Sequence, residues 1–143
     1  MSNHIHLIAQ ADESTKQGLS EIVRDFKKFT AKQIIAAIKN QPESRREWLL
    51  HMFKYYAKYN TNNREYQFWI QNNHPTALWH PEVIWQKIDY IHLNPVRAKV
   101  VAEPDQYLYS SASNYASENK NGLLEMDLIE LPPFGVSQLY FPE

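Results

Sequence analysis

Pro81-Glu82-Val83-Ile84-Trp85-Gln86-Lys87-Ile88-Asp89-Tyr90-Ile91-His92-Leu93-Asn94 sets the architecture of this chain. Proline suits the first position of a helix, because the N–H it lacks would have no intrahelical partner there. Ile84, Trp85, Ile88 and Ile91 follow at three- and four-residue spacing, which predicts a helix over 81–94 with these side chains inward. Pro95 stops or bends it and disfavours helical geometry at Asn94. Tyr90 falls well away from the apolar stripe and so points sideways or outward. Asn94 lies one turn further on the same side, so a phenol and a carboxamide are offered together at i and i+4. The plain alternative is an exposed tyrosine covering a neighbouring side chain.

Upstream, His4 to Gln10 alternates and predicts a short strand, with Ile5, Leu7 and Ala9 on one face and His4 and His6 on the other. Ser14 or Thr15 caps an expected long helix reaching about Asn40, with Leu19, Ile22, Val23, Phe26, Phe29, Ile34, Ala37 and Ile38 inward. Pro42 breaks the chain, and Ser44 opens an expected second helix through about Tyr59, with Trp48, Leu49, Met52, Phe53 and Tyr56 buried. The polar run Asn60-Thr61-Asn62-Asn63 ends it. Residues 64–80 are aromatic and irregular, with an expected strand over Tyr66 to Ile70. Downstream, Val96 to Ala102 reads as a short helical turn and 107–122 as loop. Residues 123–143, with Pro132, Pro133 and Pro142, read as a tail.

The whole chain has 143 residues, 43% hydrophobic and 22% charged, a size and composition that fit one compact soluble domain. It has no cysteine, which excludes a disulfide scaffold, a thiolate zinc site and a catalytic thiol and is compatible with a reducing cytosol. Three glycines exclude a glycine-rich phosphate loop. No run approaches the roughly 20 apolar residues that span a bilayer, so no membrane partner is expected. The net charge of −1 hides a split. Residues 1–100 hold 14 Lys+Arg and 9 Asp+Glu, whereas 101–143 hold Lys120 against 7 acids. A basic working face followed by an acidic tail is one reading, and drift along a solvated surface is the other.

Three groups of residues could carry chemistry. His4 and His6 lie two apart on one strand face, about 7 Å apart at the backbone, and can converge on one ion. A pair of half-exposed histidines at a strand end is the simpler account. Tyr90 with Asn94 is the second group. The third is basic: Arg24, Lys27 and Lys28 on the first helix, with Lys87 and Arg97 around the third. A solvated helix face explains these as well as a phosphate-binding surface does, and the interleaved Phe26, Phe29, Trp69, Trp79 and Trp85 serve either as core or as stacking platforms for unpaired bases.

Five strings occur in order: Met1-Ser2-Asn3-His4-Ile5-His6-Leu7-Ile8, Arg24-Asp25-Phe26-Lys27-Lys28-Phe29-Thr30, Tyr66-Gln67-Phe68-Trp69, Asp89-Tyr90-Ile91-His92-Leu93-Asn94-Pro95-Val96-Arg97-Ala98 and Tyr107-Leu108-Tyr109-Ser110-Ser111-Ala112. Together they resemble the REP-associated tyrosine transposases, within the single-tyrosine, His-hydrophobic-His (HUH) superfamily of single-strand DNA transposases. The resemblance covers residues 1–115, a transposase-like domain, and leaves 116–143 as a tail of unknown role. It implies a ferredoxin-like α+β fold, mostly helical as written, in a bacterial cytoplasmic protein that associates with the nucleoid through DNA.

By the same resemblance, His4 and His6 match the metal-binding pair, Tyr90 the nucleophile and Asn94 a third ligand. Arg24, Lys27, Lys28, Lys87 and Arg97 would hold single-stranded or hairpin DNA. The implied cofactor is a divalent metal, Mg²⁺ or Mn²⁺, and the implied reaction cleaves and rejoins DNA through a 5′-phosphotyrosine. Relatives carry a strand and a helix, on the order of 40 to 50 residues, before the histidine strand. Their place here implies a late start codon, a decayed remnant, or a missing strand supplied by a second copy in a homodimer. The alternative function is a catalytically inactive or domesticated relic that only binds DNA hairpins. A third reading is an unrelated helical scaffold.

Overall fold

A computed structural model describes residues 4–14, 16–60, 65–71, 73–116, 123 and 126–130. Thr15, residues 61–63 of the polar run, the first three residues of the His4 string and most of the 116–143 tail lie outside the described residues. Within them the chain is mostly helical: α1 (Leu19–Asn40), α2 (Arg46–Ala57), α3 (Pro81–Arg97), a 3-10 turn (Pro104–Gln106) and α4 (Ala112–Ala116). None of these helices is long and apolar enough to cross a membrane. The chain forms two compact units, Met1–Ile8 with Thr76–Glu143, and Ala9–Pro75.

The unit Ala9–Pro75 is a helical hairpin clasped by an aromatic segment. α1 begins later than the sequence predicts, because the Ser14 N–H is drawn into a turn by the Asp12 carboxylate at 2.7 Å. Gly18 becomes the N-cap, and its N–H donates to Glu21 Oε2 at 3.1 Å. At the other end the Arg46 guanidinium donates to the Ile38 and Gln41 carbonyls at 2.9 and 2.6 Å, satisfying acceptors that a helix terminus leaves open and tying α2 to α1. α2 starts after Arg45 and not at Ser44.

The expected apolar stripes are only partly covered. On α1, Leu19, Ile22, Phe26 and Phe29 are exposed, while Ile34, Ala37 and Ile38 are half-buried. On α2, Ala57 is buried and Leu49, Met52 and Phe53 half-buried, but Trp48 and Tyr56 face solvent, contrary to expectation.

The expected strand over Tyr66 to Ile70 is instead an irregular clasp. Its backbone is satisfied by helices: the Gln67 N–H donates to the Phe53 carbonyl at 2.9 Å, and Lys27 Nζ donates to the Ile70 carbonyl at 3.1 Å. The Phe68 ring meets Phe53 and Trp69 edge-on at 5.4 and 5.1 Å, Trp69 meets Phe26 at 6.1 Å, and its indole N–H donates to Thr30 Oγ1 at 2.9 Å. Large rings bury more area per residue than a ladder of small side chains would, which is why this stretch packs as a clasp.

The other unit is built on α3. Trp85, Ile88, His92 and Pro95 are its buried residues, a 3-4-3 spacing that includes a histidine and a proline among the apolar positions. Against them pack Ala112 and Asn114 of α4, both buried, with the Tyr115 ring 5.9 Å from Trp85 and 5.4 Å from His92. His92 Nε2 and Ser111 Oγ lie 2.7 Å apart, a hydrogen bond between α3 and the start of α4. The stretch expected as loop after Tyr107 thus contains a short helix.

Pro95 neither stops α3 nor prevents helical geometry at Asn94. The helix runs on to Arg97, where the absent Pro95 N–H forfeits one bond near an end already short of partners. It closes in a Schellman turn: Lys99 N–H donates to the Val96 carbonyl at 2.8 Å and Val100 N–H to the Pro95 carbonyl at 2.9 Å, with Lys99 left-handed at φ 57°.

His4 to Gln10 has no regular structure and pairs with no strand among the described residues. A strand is a paired object, and the alternating pattern supplies a face without supplying the neighbour whose carbonyls and amides it needs.

Candidate functional site

The residues of interest in the α3 unit start from one helical face. Lys87, Tyr90, Asn94 and Arg97 recur at three- and four-residue spacing, and the buried Trp85, Ile88, His92 and Pro95 occupy the opposite side. Burial of one stripe therefore fixes the direction of the other. Tyr90 is 46% exposed, as the sequence predicts, and Lys87 and Arg97 are exposed beside it.

His4 and His6 come to this face from the far end of the sequence. Their rings stand edge to face at 4.8 Å, and the His6 ring meets the Tyr90 ring at 5.7 Å, again edge-on. The guanidinium carbon of Arg97 sits 5.8 Å from the centre of the Tyr90 ring. Two imidazoles, a phenol and a guanidinium thus form one contiguous group, although more than eighty positions separate His6 from Tyr90.

The surroundings of His6 favour its neutral imidazole. His6 is held below the usual histidine value, first by burial and then by the neighbouring His4. A neutral imidazole keeps a lone pair for an ion, a proton or a phosphate hydroxyl. Next to Tyr90 in sequence, burial pushes the Asp89 carboxyl above its ordinary value.

Asn94 is half-buried, and its side-chain Nδ2 is buried without a hydrogen-bond partner. An unpaired buried donor is costly and uncommon in a folded protein. A half-turn of the carboxamide would present its oxygen at the same covered point, since the two ends are nearly isosteric. Among the described residues no three His, Cys, Asp or Glu side chains come together.

The remaining predicted residues lie on α1, in the Ala9–Pro75 unit. Arg24 forms an exposed ion pair with Asp25 at 2.9 Å. Lys27 is half-buried, bonded to the Ile70 carbonyl and 5.9 Å from the Trp69 ring centre, so it serves the clasp. Lys28 is exposed. Of the aromatics considered as stacking platforms, Trp85 is core and Trp69 belongs to the clasp, whereas Phe29 and Trp79 are exposed.

His92, Ser111 and Tyr115 were not among the expected site residues, yet they hold the back of α3. The available signal was the 85/88/92/95 spacing, which takes a histidine into the buried stripe. Compared with known protein families, curated proteins and solved structures, the chain has no significant match.

Proposed function

We propose that this chain is a metal-dependent, single-tyrosine DNA strand transferase of the HUH type, acting on single-stranded, hairpin-bearing DNA. The observation that carries the reading is the assembly of His4, His6, Tyr90 and Arg97 into one contact group from distant parts of the sequence. Five ordered strings resembling the REP-associated tyrosine transposases support it. A ferredoxin-like α+β ancestry goes with it, in which the His4 to Gln10 segment would join a sheet.

The donor set suits a divalent ion: the imidazole nitrogens of His4 and His6, the latter favoured neutral by burial, with the Asn94 carboxamide oxygen available by rotation. Imidazoles suit Mn²⁺ better than Mg²⁺, which prefers oxygen. When bound, such an ion would polarise the scissile phosphate and offset charge developing on its oxygens. Tyr90 Oη attacks phosphorus, the bond to the 3′ oxygen breaks, and that oxygen leaves as a 3′-hydroxyl while the 5′ phosphate stays on Tyr90. A 3′-hydroxyl attacking the phosphotyrosine reverses the exchange and rejoins DNA, so no nucleotide triphosphate is consumed.

A neutral phenol is a weak nucleophile, and Arg97 beside the ring would favour the negative charge that grows on Oη. Lys87, on the same face of α3, would hold a flanking phosphate, and Arg24 and Lys28 of α1 would hold DNA phosphates, with Lys27 joining them only by giving up its bond to the Ile70 carbonyl.

The test is incubation of the chain with a labelled hairpin-bearing single strand and Mn²⁺, followed by denaturing electrophoresis. A covalent adduct that requires the ion and disappears in Tyr90→Phe is the expected result. Salt-sensitive hairpin binding that needs no ion and never yields an adduct would favour the non-catalytic binding module.

A further inference from the structure

α2 carries a surface that shares no residue with the group around Tyr90. Trp48, Tyr55 and Tyr59 recur at seven- and four-residue spacing, so they form one stripe along the helix and its C-terminal turn. All three face solvent, at 59%, 45% and 74% exposure. The rings of Tyr55 and Tyr59 meet edge-on at 5.2 Å, Tyr56 meets Tyr55 at 5.6 Å, and the Tyr59 hydroxyl donates to that of Tyr55 at 3.3 Å. Soluble helices ordinarily turn such rings inward. Here Ala57 is buried instead, and the rings stand in water.

The flank of the stripe is cationic. His51, Lys54 and Lys58 are exposed, and Glu47 in the first turn is the one acid of α2. Among the described residues neither lysine is ion-paired with a carboxylate. Planar faces that can stack, bordered by two ammonium groups not tied up in ion pairs among the described residues, match unpaired bases joined by phosphates. An apolar partner helix would use the rings and strand the lysines, whereas an acidic peptide would use the lysines and leave the rings wet.

We propose that the Trp48, Tyr55 and Tyr59 stripe, with Lys54 and Lys58 beside it, is a platform on which single-stranded DNA stacks its bases, built from residues other than those around Tyr90. That the strand is DNA and not RNA rests on the function proposed above. The stacking itself rests on α2 alone.

The experiment uses the full chain carrying Tyr90→Phe, so that no covalent product forms, and a labelled 12-nucleotide DNA without self-complementarity, read by fluorescence anisotropy. Tyr55→Leu with Tyr59→Leu should weaken binding by roughly tenfold or more, because each lost base–ring stack alone is worth a several-fold change. Tyr55→Phe with Tyr59→Phe, which keeps the rings, should bind within about twofold of the parent. Lys54→Gln with Lys58→Gln should weaken binding and flatten its salt dependence.

Circular-dichroism melts of each variant separate loss of the platform from loss of the fold. A double leucine variant that binds like its parent, or a parent that does not bind the strand, overturns the proposal. So does a parent that binds the corresponding duplex as tightly as the single strand. Adduct formation by the unsubstituted chain is scored independently. Its absence alongside an intact platform effect counts against the Tyr90 reading, and its presence without a platform effect counts against the platform.

Discussion

Asn94 holds a buried nitrogen that bonds to nothing, and removing such a group costs a fold little. Asn94→Ala should therefore change stability by less than about 1 kcal/mol, while raising the Mn²⁺ concentration needed for half-maximal cleavage; denaturant titration and a metal titration of activity check the two halves. Arg97 sets its charge beside the Tyr90 ring, where the proposed reaction would use it. Arg97→Ala should slow single-turnover cleavage by roughly ten- to a hundredfold, with partial recovery in Arg97→Lys. Lys99 is a different kind of residue, held left-handed at φ 57° where a helix end favours glycine. Lys99→Gly should stabilise the chain by about 0.5–1 kcal/mol, read as a higher melting temperature, since relief of backbone strain outweighs the extra freedom glycine gains when unfolded.

At the scale of the element, α3 is pinned from behind by the His92–Ser111 bond and the Tyr115 ring, and this sets the direction of Tyr90. Burial holds His92 below its usual value of 6.5. The unfolded chain then takes up a proton that the native state refuses, so stability is intact above about pH 6.5 and falls as pH drops through that value towards the folded pKa. His6 is shifted the same way. Thermal melts at pH 7.5 and 5.5 should show a drop that shrinks in His92→Gln. Ser111→Ala should cost about 1 kcal/mol or more at neutral pH, because it leaves a buried ring nitrogen unpaired.

The helices were legible in the sequence because their period is local: Pro81, the 84/88/91 spacing and the outward Tyr90 all follow from turns of one chain segment. The two expected strands are not strands among the described residues. His4 to Gln10 alternates and Tyr66 to Ile70 is rich in large rings, but pairing is decided by a neighbour that no local pattern names. Pro95 misled for a related reason, since its cost depends on whether the lost bond falls in mid-helix or in the last turn. The exposure of Trp48 and Tyr56 likewise turns on which side of α2 finds a partner.

Across the whole molecule, charge and chemistry are divided between two compact units. The His4/His6 pair and the Tyr90 face share one unit, and the basic side of α1 and the α2 stripe share the other. The sequence offered the histidines, the tyrosine and the cations as separate signals, each with an ordinary explanation. Contact of His6 with Tyr90 and of Tyr90 with Arg97 joins three of them. The chain has nine tyrosines, so the claim that one is the nucleophile is demanding. The most direct test is mass spectrometry of the proteolysed covalent DNA adduct formed with Mn²⁺. The account predicts a nucleotide phosphate on Tyr90 and on no other tyrosine; an adduct mapped to a different residue, or no adduct with any hairpin-bearing strand, would contradict it.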